Sequence, residues 1–312
     1  MPNALRFLLF PLLLLLPVEV QAQNRRPIID VHLHAFGFDE YGHPAPPNEA
    51  TGRVPSAASD ADAIAAAIRE LDRHGVVMAI ASGPLHHVLA WRDADPDRMV
   101  GGAYTGARDV LPDTARLRVL FESDSLQVLG ELGLQYRGLA LTDSSMAAYL
   151  ELAERLDVPV ALHTGLGDAG SPYGCCPGFR VQLGKPGLVE EVLVRYPRLR
   201  IYLMHAGYPF LEETKALLYV YPQLYVDIGV INWALPRAEF HAYLKGLVDA
   251  GFGKRIMFGS DQMVWPESIG LAVSAVEAAP FLAPAQKSDI FYHNAARFLR
   301  LDEATIARHH GR

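Results

Sequence analysis

The stretch PIIDVHLH, from Pro27 to His34, carries both the first structural element and the first chemical signal. Its apolar, β-branched residues read as a buried strand, and His32 and His34 stand two positions apart on it. Strand side chains two apart share a face, so both imidazoles project to one side. Two imidazoles converging on one point suit a first-row divalent metal. Asp30 precedes the pair and is expected to face away from it in a structural role.

Seven more runs of the same kind follow: VVMAIAS from Val76, MVGGAYTG from Met99, LQVLGELGL from Leu126, VPVALHTG from Val158, RIYLMHAG from Arg200, LYVDIGV from Leu224 and RIMFGSD from Arg255. Helical patterns separate them. One is opened by Asp60 and closed by Gly75, and others run over Ser144 to Leu156, Gly187 to Tyr196, Leu211 to Tyr221 and Arg237 to Ala250. Strands alternating with helices build parallel sheets, because each crossover needs a dozen or more residues. Eight such units predict an α/β fold, a (β/α)8 TIM barrel over residues 23–312, with an open doubly wound sheet as the structural alternative. Pro284 to Leu301 reads as a closing helix. Residues 35–59 and 166–186, rich in Gly and Pro, directly follow the first and fifth runs and are expected to lie over the barrel mouth.

Composition narrows the class. The 312 residues hold 28 basic and 35 acidic side chains, a net charge of -7, and half are hydrophobic. That is too apolar for disorder and lacks the basic excess of a nucleic-acid binder. Arg6, the apolar run Phe7 to Leu16 and the small-residue exit Val20-Gln21-Ala22 match a cleavable secretory signal over residues 1–22. The run is shorter than the ~20 residues that span a bilayer, so the expected mature chain is exported, periplasmic or secreted, and free of the membrane. An uncleaved anchor is the alternative. The only cysteines are the neighbours Cys175 and Cys176, read as unpaired or locally oxidised thiols because adjacent residues are poorly spaced for a disulfide.

Three further ligand-type residues end predicted strands: His163 in the fifth run, His205 in the sixth and Asp261 in the eighth. In a (β/α)8 barrel those are the C-terminal strand ends, where catalytic groups sit. The pattern of H-x-H on the first strand, His on the fifth and sixth and Asp on the eighth resembles the metal-dependent amidohydrolase superfamily. Phe258-Gly-Ser-Asp261 and the tail His293-Asn-Ala-Ala-Arg-Phe-Leu299 are most similar to its amidohydrolase-related branch, and the likeness runs from Ile28 to Leu301. The resemblance implies that His32, His34 and Asp261 hold one metal, joined by His163 in mononuclear members. It implies that His205 either binds a second metal or contacts substrate and water.

Gly130-Glu131-Leu132-Gly133-Leu134 resembles the strand-four segment of TatD-type nucleases, where the glutamate bridges two metals. Glu131 is thus either a metal ligand or a salt-bridged supporting residue, and the metal count, one or two ions with zinc expected, depends on it. Gly165-Leu-Gly167-Asp-Ala-Gly170 matches a dinucleotide fingerprint formally but leads into Ser171-Pro172, not a helix. His86-His87 and His309-His310 are expected to be solvated. Tyr136, Arg137, Arg180, Asn232, Trp233, Gln262 and Trp265 follow strands and are candidates to shape a pocket.

These readings imply a metal-dependent hydrolase acting on an amide, lactone, ester or related bond of a small molecule. Asp261 is the expected general base and His205 the residue that steadies the oxyanion if it binds no metal. Two rivals stand beside it: a metal-dependent decarboxylase of an aromatic or unsaturated acid, and an exported metal-binding protein without turnover. No nucleic-acid partner is expected, and self-association is left open.

Overall fold

Eight strands lie side by side in chain order in one parallel sheet: β1 (Ile28–His34), β2 (Val76–Gly83), β3 (Met99–Thr105), β4 (Val128–Leu132), β5 (Val160–Leu162), β6 (Ile201–Leu203), β7 (Leu224–Asp227) and β8 (Ile256–Met257). The computed structural model describes residues 26–311, so the expected leader over residues 1–22 lies outside the described residues. Each strand pairs in parallel with the next. The ring is completed by backbone bonds between β1 and the segment following β8: Val31 N to Phe258 O at 3.0 Å, Asp261 N to His32 O at 2.7 Å and His34 N to Gln262 O at 2.8 Å. The eight-unit barrel is what forms.

Helices occupy the intervals that the sequence marked for them. Asp60–His74 shows why: the Ser59 side chain accepts from Asp62 N, and Gly75 closes the helix in the left-handed region at φ 70°. Its apolar face of Ile64, Ala67 and Leu71 is buried in the same cluster as Val76 and Ala79 of β2. A second cluster fills the barrel with Ile29, Val31, Val100, Val128 and Tyr202, and Phe298 of the C-terminal tail joins it.

Strict alternation along β1 would put Asp30 on the same side as His32 and His34. A register shift between Asp30 and Leu33 in the pairing of β1 with β2 breaks that alternation. The Asp30 carboxyl binds backbone: its Oδ1 accepts from Ser260 N at 2.9 Å and His32 N at 3.1 Å. Burial pushes its carboxyl up to about 7. Asp30 therefore clamps β1 to the segment that carries Asp261.

The closing helix forms as expected, and one other expectation for the C-terminal region is corrected. The tail runs helically from Pro284 to Leu299, its middle turn over Asp289–His293 widened to a π-helix in which Ile290 O accepts from Phe258 N at 2.9 Å. That bond ties the tail to the strand end, as do two bonds from Asn294 Nδ2, to Ile256 O at 2.7 Å and Gly253 O at 2.8 Å. His309 is buried, not solvated, because its Nδ1 meets Tyr292 Oη at 3.0 Å. No helix among the described residues is long and apolar enough to cross a membrane.

Candidate metal centre and active site

All six residues singled out as ligands meet in one buried cluster: His32 and His34 from β1, Glu131 from β4, and His163, His205 and Asp261 just past β5, β6 and β8. Glu131 sits at its centre. Its Oε2 lies 3.1 Å from His34 Nε2 and 3.6 Å from His32 Nε2, and its Oε1 lies 2.6 Å from His163 Nδ1 and 3.8 Å from His205 Nε2. Asp261 Oδ1 is 3.0 Å from His34 Nε2 and 3.3 Å from His32 Nε2, while its Oδ2 is 3.7 Å from His205 Nδ1. Three sets of ligand atoms close enough to hold one ion result: His32 with His34 and Glu131, His32 with His205 and Asp261, and Glu131 with His163 and His205.

The outward nitrogens decide what the inward ones can do. His32 Nδ1 donates to Asp227 Oδ1 at 3.3 Å, His205 Nδ1 to Gly229 O at 3.0 Å, and His163 Nε2 to Leu166 O at 3.1 Å. A neutral imidazole has one N–H, so the other nitrogen presents a lone pair. On all three rings that lone pair faces carboxylate oxygens, which are acceptors too. Acceptor against acceptor at these distances is repulsive unless protons or cations intervene. Ligands bound tetrahedrally at about 2.1 Å stand about 3.4 Å apart, which matches the separations across the cluster. His32 Nε2 and Asp261 Oδ1 make no hydrogen bond although both are buried. The residues fit a divalent metal.

Asp227, which the sequence reading passed over, ends β7 and supports the cluster from below. Besides holding His32, it accepts from Gly229 N at 2.7 Å and His205 N at 3.4 Å. Its place at the end of the LYVD run was the signal available. Glycine is required beside it: a Cβ on Gly229 would lie 2.7 Å from His32 Nδ1, and one on Gly259 would lie 2.7 Å from His32 Cβ. The loops after β6, β7 and β8 carry left-handed residues that are not glycine, at His205 (φ 59°), Ala206 (φ 51°), Val230 (φ 54°) and Asp261 (φ 51°). Such residues cost on the order of 1–3 kcal/mol each and concentrate where geometry is functional.

Above the cluster opens a cavity of about 600 Å³. Phe36 and Tyr41 from the loop after β1, and Leu166 and Asp168 from the loop after β5, help to line it, so both insertions do cover the mouth. Tyr136, Trp233 and Trp265 line it as anticipated. Arg137 and Arg180 do not; both are exposed, and Arg180 donates to Pro177 O and Phe179 O instead. Asn232 and Gln262 are buried and brace the segment around Asp261, Asn232 through Gly259 O at 2.8 Å. Tyr104, missed in the sequence, stands edge-on to His34 at 5.8 Å. Of the two states open to Cys175 and Cys176, unpaired or locally oxidised, the structure has the oxidised one, and the poor spacing expected to disfavour a disulfide does not prevent it: the two are bonded to each other. A turn closed by Cys176 N to Ser171 O at 3.0 Å brings the neighbouring side chains together, and Cys175 lines the cavity.

A family model described as Amidohydrolase matches residues 29–301. The chain belongs to the amidohydrolase family. Among solved structures, this amidohydrolase is similar to one described as a probable 2-pyrone-4,6-dicarboxylic acid hydrolase from Acinetobacter baumannii, with a TM-score of 0.61 and 18% identity, covering 88% of this chain and 99% of that one. It is also similar to 5-carboxyvanillate decarboxylase from Sphingomonas paucimobilis, with a TM-score of 0.57 and 16% identity, covering 89% and 100% of the two chains. At those identities the likeness shows the barrel. Protein fluG of Emericella nidulans is 26% identical over 160 residues, which is 46% of this chain but only 18% of that protein.

The electrostatics of the amidohydrolase cluster give a pH dependence. Burial alone would lower His34, but Asp261 and Glu131 outweigh it and push it up to about 9. Burial is likewise outweighed for Glu131, whose histidine neighbours, His163 first, hold it well below the usual range. Without metal, His34 therefore keeps a proton below about pH 9, which an incoming ion must displace. Metal affinity should climb with pH, by about tenfold per pH unit for each proton released. Chelator competition between pH 7 and 9 measures this; a flat profile would contradict the assignment.

Proposed function

We propose that this amidohydrolase is an exported hydrolase that adds water to an amide, lactone, ester or related bond of a small molecule, with zinc as its metal. One observation carries the reading: the two oxygens of Glu131 face different ligand groups, His32 and His34 on one side and His163 and His205 on the other. A carboxylate so placed suits two ions held side by side. Bound there, divalent ions supply Lewis acidity and an acidified water as nucleophile.

The protein's own groups do the rest. Asp261 directs Oδ1 to His34 and His32 and leaves Oδ2 on the His205 side, 3.7 Å away. Burial would raise this carboxyl, but His32 and His34 outweigh it and bring it down to about 2. It stays ionised at neutral pH, ready to take a proton from water and return it to the leaving group. Asp227 fixes the ring of His32 through Nδ1, and Gly229 O fixes His205 so that Nε2 points at Glu131 and His163. That orientation gives His205 the role of ligand more readily than that of oxyanion donor.

Asp261→Asn is expected to keep much of the metal, since an amide oxygen still coordinates weakly, while turnover per bound metal falls by roughly 10²–10⁴. Metal content and hydrolysis rates on ester, lactone and amide panels measure both; unchanged activity per metal removes Asp261 as the base, and carbon dioxide release without water addition contradicts the hydrolase reading. For export, N-terminal sequencing of the mature protein should start near Gln23, and retained Met1 would contradict the leader.

A further inference from the structure

The cavity above the cluster turns carbon toward its contents. Trp233, Trp265 and Tyr41 line it, and each has its polar tip committed to the scaffold. Trp233 Nε1 donates to Ser260 O at 2.7 Å, Trp265 Nε1 to Pro46 O at 2.9 Å, and Tyr41 Oη to Met263 Sδ at 2.9 Å. A ring whose donor is already satisfied offers a ligand only its apolar face and edge. Two of these bonds also tie the loop after β1 to the segment after β8, which holds the faces in place.

Other side chains extend the apolar lining. Phe36 stacks on His34 with ring centroids 4.3 Å apart, and Val230, Ile231 and Leu235 join it from the segment after β7. Charge is placed differently. Outside the cluster the charged lining is Glu40, Glu49, Arg108, Asp109 and Asp168, and all but the half-buried Asp109 are exposed. Exposed charges of either sign are screened by water and select weakly. Phe36, Ile231, Trp233 and Trp265 are buried, and among the described residues no buried side chain of the lining outside the cluster carries a charge. An ionic group brought in beside the reacting bond would lose its hydration with nothing but the metal to replace it. An apolar group gains from the same desolvation.

From this arrangement we infer that the substrate carries a bulky uncharged group, aromatic or branched aliphatic, close to its scissile bond, and that the rings of Phe36, Trp233 and Trp265 select it. A cavity of about 600 Å³ has room for such a group together with the reacting carbonyl. The inference rests on the hydrolase reading for the bond cleaved, but the preference for an apolar occupant stands separately. It sets this site apart from one built for a di- or tricarboxylate, whose charges beyond the metal would need buried cationic partners.

The test uses zinc-loaded protein and three aryl acetates that differ only in a para group: neopentyl, its cationic isostere trimethylammoniomethyl, and carboxymethyl. With each kcat/KM divided by that ester's uncatalysed hydrolysis rate, the neopentyl ester should lead both charged ones by about tenfold or more. Leu235→Asp, at a half-buried position, sets a carboxylate among the apolar faces. It should lower kcat/KM for the neopentyl ester by about tenfold while metal content stays at the wild-type level. In parallel, tryptophan fluorescence compares binding of the neopentyl and trimethylammoniomethyl acetanilides, with about a tenfold preference expected for the neutral one. Neutral preference in binding without hydrolysis of any ester would fail the hydrolase reading and uphold the inference. Hydrolysis of all three esters at equal normalised rates would do the reverse. A charged ester turned over faster than the neopentyl one, equal binding of the two anilides, or full activity in metal-replete Leu235→Asp overturns the inference.

Discussion

Six buried acceptor-rich side chains sharing one small volume form the constraint on which the rest of this molecule depends. Three imidazoles are committed by outward hydrogen bonds to present lone pairs inward, where Glu131 and Asp261 present theirs. Burying that much unbalanced polarity is costly unless positive charge compensates it. Without an ion the compensation falls to protons, which is why His32 and His34 are driven upward although burial opposes this. A divalent metal offers the same compensation with lone pairs free to coordinate. The centre is organised for a cation before one arrives.

Holding such a cluster requires a rigid frame, and the barrel provides one at its most vulnerable seam. β8 is two residues long, so Asp261 is positioned less by its own strand than by what grips it. Asp30 reaches across from β1 to Ser260 N, Trp233 Nε1 donates to Ser260 O at 2.7 Å, and Asn294 of the tail anchors Ile256 O. The tail motif that resembles the family thus acts at a distance, through the strand that presents Asp261. Left-handed backbone at Asp261 is tolerated because these contacts over-determine it.

Much of this was legible beforehand. Period-two spacing and C-terminal strand ends located His32, His34, His163, His205 and Asp261, the resemblance of the strand-four segment located Glu131, and the six meet in one buried cluster, because inward-facing polar residues in apolar runs are rare without a purpose. What escaped lay in features with no period. Asp227 was hidden within a strand counted only for its apolar residues, and Tyr104 within a run of small ones. The register shift in β1 cannot be read from alternation, which by itself would have grouped Asp30 with the ligands. The Cys175–Cys176 bond and the burial of His309 depend on how a turn and a tail pack, which no local spacing encodes.

The family match and the barrel establish what kind of protein this is, and the central claim is finer: that Glu131 stands between two ions. Anomalous diffraction at the zinc edge, from crystals of metal-loaded protein, tests it directly. Two peaks about 3.5–4 Å apart are predicted, one beside His32 and His34 and the other beside His163 and His205, with one Glu131 oxygen on each. A single peak at full occupancy, with Glu131 turned away from it, would contradict the account.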